Sequence, residues 1–195
     1  MLTAIAKGAG WAIHMSASLK TTSMRFGTLI GLFSVLAGVS TALETYQKNL
    51  IFEPPTNYTD PRVLYPRTVQ LEDGRLLATW ENYSPEPPLV WYPIVESWDG
   101  GLSWEEVGQV HDQVNDWGMR YQPFLYELRQ DFGGFEAGTI LCAGNSIPTD
   151  LSESKIDLYA STDKGRSWTF VSSVVRGGVA IPNNEETPVW EPEIL

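Results

Sequence analysis

Ser97-Trp98-Asp99-Gly100-Gly101-Leu102-Ser103-Trp104 returns 64 residues later as Ser161-Thr162-Asp163-Lys164-Gly165-Arg166-Ser167-Trp168, and both stretches read S-x-D-x-G-x-S-W. A pattern this specific, found twice, marks an internal repeat. In each copy the acid can accept N–H groups of its own turn, and the glycine two residues on can take a positive φ. The tryptophan then folds back as an apolar plug. Alternating runs flank both copies: Leu89 to Ser97 and Lys155 to Ser161 before, Val107 to Val110 and Thr169 to Val175 after. Each copy therefore sits at the tip of a β-hairpin.

Working outward, residues 43–62 are polar and carry Pro54, Pro55 and Pro61, which reads as an extended lead-in. The first unit opens at Leu64-Tyr65-Pro66 and runs through Arg67 to Leu71, the turn Glu72-Asp73-Gly74 and Arg75 to Trp80. An Asp-Gly centre between two such runs predicts a tight hairpin. Ser84 to Pro88 then leads to the strand that enters the first box, and a fourth strand follows it. Gly74 to Ser97 and Gly138 to Ser161 span the same 23 residues, so Leu76-Leu77-Ala78 falls on Ile140-Leu141-Cys142. Upstream, Tyr65-Pro66 falls on Gln122-Pro123, with seven extra residues taken up in a loop holding Asp131-Phe132-Gly133-Gly134. That loop is predicted at the surface, where insertions are tolerated. A third unit begins at Val189-Trp190-Glu191-Pro192. A four-stranded antiparallel unit of about 60 residues, repeated in series, predicts an all-β fold and a β-propeller rather than a sandwich of hairpins. The expectation for residues 63–195 is about two blades plus the start of a third, a fragment of a ring that typically has 4–8 blades.

Composition narrows the function classes. The chain is 43% hydrophobic and 12% aromatic with 8 Trp, a density that serves strand-rich cores or sugar-stacking surfaces. The net charge is −11, and no acid precedes Glu44 while Lys7, Lys20 and Arg25 do, so the rest is more acidic still. A nucleic-acid partner is excluded on this balance, because phosphate binding needs a basic face. Met24-Arg25 precedes the apolar run Thr28 to Val39, which is too short to span a bilayer, and small residues follow at Ser40-Thr41-Ala42. Residues 24–42 read as a secretory signal peptide and residues 1–23 as a possible upstream extension, giving an extracellular chain with no stable membrane association. Asn57-Tyr58-Thr59 is a glycosylation sequon, and Asn82-Tyr83-Ser84 is a second one compromised by Pro85. Cys142 has no partner for an internal disulfide and reads as a core residue. His111, a predicted loop residue, is the only imidazole after the signal, which disfavours a His-rich zinc site or a Ser-His-Asp triad. The Asp-x-Gly of the boxes lacks the oxygens of an EF-hand, so no metal and no cofactor are expected.

The two boxes resemble the Asp-box, or BNR, repeats of the sialidase superfamily, whose fold is a six-bladed propeller. With the export signal and the Val189-Trp190-Glu191-Pro192 stretch, the chain resembles the fungal exo-arabinanases of glycoside hydrolase family 93 over Tyr65 to Leu195. The resemblance implies a secreted, monomeric, retaining glycosidase with an arabinan-like carbohydrate partner. It also puts the acid/base in a later blade, so that this chain by itself is expected to be inactive.

In propellers the first strand of each blade lines the central channel, which makes the residues before the repeat prolines comparable: Tyr65, Gln122 and Glu191. Glu191 is the expected catalytic residue, since the resemblance implies a glutamate nucleophile. The bland reading is a strand-end acid paired with an arginine. Glu193, two residues on, would share its face and competes for the role. Glu185 and Glu186 read as solvated loop charge. Arg67, Asn82, Arg120 and Tyr121 are candidates for substrate binding at strand ends, though Arg120 could instead pair with Asp116 or Glu127. Trp80, Trp91 and Trp117 are either sugar platforms or core. Asp99 and Asp163 are read as structural, each with a hydrogen-bonding task in its turn. Two alternatives stand. A sialidase would need an arginine at Leu64, where its Arg-Ile-Pro motif falls on Leu64-Tyr65-Pro66, and Arg67 lies three residues away. A propeller that binds glycan or protein without turnover needs no second carboxylate.

Overall fold

The computed structural model describes residues 2–7, 10–17, 46–181 and 185–195, with side chains from Asn49 onward. The expected export signal, residues 24–42, lies outside the described residues. Among the described residues the ordered elements are strands: β1 Leu2–Lys7, β2 Gly10–Ala17, β3 Tyr46–Phe52, β4 Val63–Gln70, β5 Leu76–Asn82, β6 Tyr92–Ser97, β7 Glu105–Val110, β8 Gly118–Glu127, β9 Ile140–Ile147, β10 Ser154–Ser161 and β11 Thr169–Gly177. They form a three-stranded sheet β1-β2-β3 and two four-stranded sheets, β4-β5-β6-β7 and β8-β9-β10-β11, each an antiparallel meander.

These are the two serial four-stranded units expected from the repeat, and their registers coincide. Leu76 lies opposite Ser97 in the first sheet and Ile140 opposite Ser161 in the second. The architecture is that of two propeller blades. Their inner strands carry nearly continuous apolar runs because both faces are covered, as β5 and β9 are buried along their whole length. The last strands, β7 and β11, are the most exposed of their sheets, as suits the outer edge of a blade.

Each Asp box closes its turn in the same way. Asp99 Oδ1 accepts the Leu102 and Ser103 N–H groups, both at 2.9 Å, and Asp163 Oδ1 accepts those of Arg166 and Ser167 at 3.1 and 2.9 Å. Ser97 Oγ and Ser161 Oγ take the glycine N–H groups, and Trp104 and Trp168 each return an indole N–H to the glycine carbonyl at 3.0 Å. Gly101 and Gly165 have φ of 98° and 91°, the left-handed conformation the pattern requires. Hydrogen bonds from Ser103 hold the Asp99 carboxyl well below its ordinary value. At Asp163 burial pushes the other way, and the bonds from Ser167 and Ser161 outweigh it.

The boxes also join the layers. Gly165 sits against β7: a Cβ on Gly108 would lie 2.1 Å from the Gly165 carbonyl oxygen. Arg166 reaches across to the buried Glu96 at 2.7 Å, and Glu96 is held on its other side by Arg75 at 3.2 Å. The first box is held in the same manner by the lead-in, where Asn49 Nδ2 donates to the Gly101 and Leu102 carbonyls. Ile51 and Phe52 of β3 pack with Val63, Ala78, Trp80 and Val95, and Trp104 joins them.

Between the blades, Leu77, Tyr92 and Ile94 of the first interlock with Met119, Leu125, Ile140 and Tyr159 of the second, and Trp168 and Cys142 belong to this cluster. Fully burying side chains of this size contributes about 1.5–3 kcal/mol each. Tyr92 is central to it. Its ring lies over Gly144, and its hydroxyl donates to the Tyr121 and Asn145 carbonyls at 2.6 and 3.1 Å. The Asp131–Gly134 insertion is exposed and closed by a Phe132–Phe135 bridge. Asn57 is exposed in a turn, whereas Asn82 of the second sequon is buried in β5.

Candidate active site

The site follows from one local feature that each repeat carries. Proline removes a ladder donor, and at the opening of each unit the residue before it leaves the extended conformation. Tyr65, Gln122 and Glu191, the residues before Pro66, Pro123 and Pro192, have φ of 46°, 55° and 52°. Register shifts fall at the same places, between Leu64 and Arg67 in β4 and between Tyr121 and Phe124 in β8. A non-glycine residue at positive φ costs on the order of 1 kcal/mol or more, and such strain concentrates where a side chain must be aimed. All three residues line one cavity of about 660 Å³, together with Leu64, Glu81, Tyr83, Tyr121 and Trp190.

A chain of hydrogen bonds ties its walls together. Tyr65 O–H donates to Glu191 Oε1 at 3.3 Å, the Glu191 N–H donates to Gln122 Oε1 at 2.7 Å, and the Gln122 N–H donates to Glu81 Oε1 at 2.9 Å. Tyr83 O–H completes Glu81 from the other side, on Oε2 at 2.8 Å. Glu81 is 2% exposed, and burial pushes its carboxyl up to about 7, although Tyr83, the Gln122 N–H and the nearby Arg67 charge all favour the ionised form. Burial likewise raises the Tyr83 and Tyr121 phenols, with the Glu81 charge adding to both. The rest of the lining is aromatic: Tyr121 stands between Tyr83 and Trp190, with ring centroids 6.1 and 6.0 Å away. Aromatic faces beside carboxylates suit a sugar, whose C–H faces pack on rings while its hydroxyls hydrogen-bond.

Of the residues singled out from the sequence, Glu191 and Tyr121 line this cavity and Arg67, Asn82 and Arg120 do not. Arg67 lies beside it, donating to the Pro66 carbonyl with its guanidinium 5.6 Å from the Tyr65 ring centre. Asn82 is 4% exposed. Arg120 pairs with neither Asp116 nor Glu127 but with Glu86, its Nη2 touching both carboxylate oxygens at 2.9 and 3.1 Å. Glu193 is exposed and outside the lining. Trp80 stacks on Phe52 in the core, Trp91 on His111, and Trp117 lies under the Lys155 ammonium. Among the described residues no group of three or more His, Cys, Asp or Glu is placed to hold a metal ion.

Glu81, Tyr83 and Trp190 are the lining residues that the sequence reading did not single out. A signal for Glu81 exists in the repeat. It is the lone charge ending an apolar strand, and its equivalent at the 64-residue offset, Asn145, is also polar and buried. Both serve the next strand start: Glu81 holds the Gln122 backbone, and Asn145 Nδ2 donates to the Val189 carbonyl at 2.7 Å.

Comparison with known proteins places this geometry. No protein-family model matches the chain, and no curated protein does. Among solved structures, it is similar to the GH93 alpha-L-arabinofuranosidase of Fusarium graminearum in complex with arabinobiose, at 61% identity and a TM-score of 0.73, over 74% of this chain and 40% of that one. A variant of the Fusarium graminearum enzyme Arb93A bound to an iminosugar inhibitor matches with the same values. The alpha-L-arabinanase of Penicillium chrysogenum complexed with arabinobiose matches at 60% identity and a TM-score of 0.73, over 74% of this chain and 41% of that one. The chain thus spans about 40% of the length of these enzymes. By identity and by the blades it shares with them, the chain is a propeller segment similar to those of the fungal glycoside hydrolase family 93 enzymes.

Proposed function

We propose that this chain contributes the nucleophile side of an arabinan-cleaving glycosidase, secreted through residues 24–42, with Glu191 as the attacking carboxylate. The observation that carries the reading is the seat of Glu191: a pre-proline residue at positive φ, facing an aromatic-lined cavity with Tyr65 on its carboxylate. In a retaining mechanism the carboxylate attacks the anomeric carbon and forms a covalent glycosyl-enzyme. A second carboxyl, about 5–5.5 Å away, protonates the leaving oxygen and later activates water. Glu81 is not suited to that second role, since Gln122 and Tyr83 already occupy both of its oxygens. The family resemblance assigns the acid/base to a later blade, so the 195-residue chain binds arabinan-like sugar without hydrolysing it.

A sialidase reading loses ground at Leu64, an apolar lining residue where a carboxylate-gripping arginine belongs. The test is amide-resolved NMR of the 195-residue chain titrated with arabinobiose and, separately, with sialic acid. Shifts at Tyr121, Gln122, Trp190 and Glu191 with arabinobiose alone are expected, together with no products from linear arabinan. Shifts elsewhere, or products released by this chain, overturn the reading.

A further inference from the structure

The carboxylate that the sequence reading passed over sits at the far end of the hydrogen-bond chain from Glu191. Glu81 reaches it through a single residue: its Oε1 receives the Gln122 N–H at 2.9 Å, and Gln122 Oε1 receives the Glu191 N–H at 2.7 Å. Gln122 is therefore clamped at its backbone by one glutamate while its side chain clamps the backbone of the other. Both clamped residues hold φ near +50°, a conformation their own sequence does not favour and the clamp supplies. Glu81 is itself immobilised, buried near the end of β5 and fixed by Tyr83, just past that strand.

We propose that Glu81 is a positioning residue for Glu191, setting through Gln122 the backbone from which the Glu191 carboxylate is presented to the cavity. The assignment rests on the reading of Glu191 as the working carboxylate, but the hydrogen-bond relay itself does not need a sugar to be present. An ionised carboxylate accepts an N–H more strongly than a neutral one, so the clamp tightens when Glu81 loses its proton. That change falls near neutrality, because burial holds the Glu81 carboxyl at about 7. The charged and titratable groups facing Glu81 are Arg67 of β4, Tyr83 in the loop after β5, Tyr92 of β6 and Tyr121 of β8, with Tyr65 and Glu191 across the cavity. The Tyr83, Tyr92 and Tyr121 phenols are all raised by burial and stay neutral around neutrality, so the titration there is assigned to Glu81.

The experiment is a pH titration of the backbone amides of residues 122 and 191 by NMR in the 195-residue chain. In the unsubstituted chain both amides move together with a midpoint near 7. In Glu81→Gln neither follows that midpoint. In Gln122→Ala the amide at 122 still follows it and that of Glu191 no longer does. A Glu191 amide that does not move near neutrality, or that moves as much in Gln122→Ala as in the parent, overturns the proposal. Should Glu81→Gln fail to fold, the Gln122→Ala arm decides alone. Failure of arabinobiose to bind, with the coupled titration intact, would instead sink the sugar site and leave the relay standing.

Discussion

The N–H of Glu191 donates to the side-chain oxygen of Gln122 at 2.7 Å, so the residue before one repeat proline fixes the backbone of the residue before the next. Removing that acceptor in Gln122→Ala leaves the Glu191 N–H to water. Hydrogen exchange at the Glu191 amide is expected to quicken by about tenfold, the equivalent of one lost hydrogen bond. Exchange in β5 and β9 should be unchanged. An unaltered Glu191 amide would show that the contact does not hold the strand start.

The second Asp box is predicted to carry more of the stability than the first, because Trp168 lies in the core between the blades while Trp104 is only partly buried. Asp163→Ala strips two N–H groups and two hydroxyls of their acceptor, and a loss of about 2–3 kcal/mol in urea denaturation is expected. Asp99→Ala should cost less. Both carboxyls sit below their ordinary value of 3.8 in the folded chain. Their contribution is therefore present above about pH 4 and fades as pH falls through the folded value. Melts at pH 6 and pH 3 should show the parent losing more stability than the double alanine variant.

Gly144→Ala is predicted to disrupt the contact between blades. A Cβ there would lie 2.4 Å from both Cε2 and the hydroxyl oxygen of Tyr92, which is fully buried and has no room to retreat. Overpacking of this kind costs about 2–3 kcal/mol. Gly74→Ala makes a useful contrast: its Cβ would meet open space, and only its φ of 90° opposes the change. About 1 kcal/mol is expected there. Equal effects in chemical denaturation would contradict the packing argument.

Glu81 gives stability an acid-side bias. Its carboxyl holds a proton up to about 7 in the folded chain, against an ordinary value of 4.5. Below the ordinary value both states carry the proton. Between the two values the folded state binds it and the unfolded state does not, so stability falls as pH rises through this window and levels off above it. The shift corresponds to about 3 kcal/mol. In Glu81→Gln this fall should vanish, which paired melts at pH 5 and pH 8 would reveal. A parent chain as stable relative to the variant at pH 8 as at pH 5 would rule out the buried proton.

The repeat was legible in the sequence because its parts are local. An Asp box closes on itself within eight residues, so its spacing alone announces a turn, and two turns at one offset set the strand registers of both sheets. The place of Glu191 in the cavity lining was legible for the same reason: it stands at a repeat position, before a proline. The partners of the site were not. Arg120 has several acids within reach along the chain, and only the fold brings Glu86 to it. Asn82 carries a sequon and a polar amide, yet β5 is covered on both faces and takes it out of reach. Glu81 looked like any strand-end acid. It becomes part of a site because the first strand of the next blade lies beside it, with a bulge that turns one N–H toward its carboxylate.

What the sequence by itself determined is the blade: four strands and a boxed turn, written in contacts between near neighbours. What the tertiary structure decided is the cavity. It forms where strand starts from three successive units converge, and the burial that pushes Glu81 up to about 7 exists only in the folded chain.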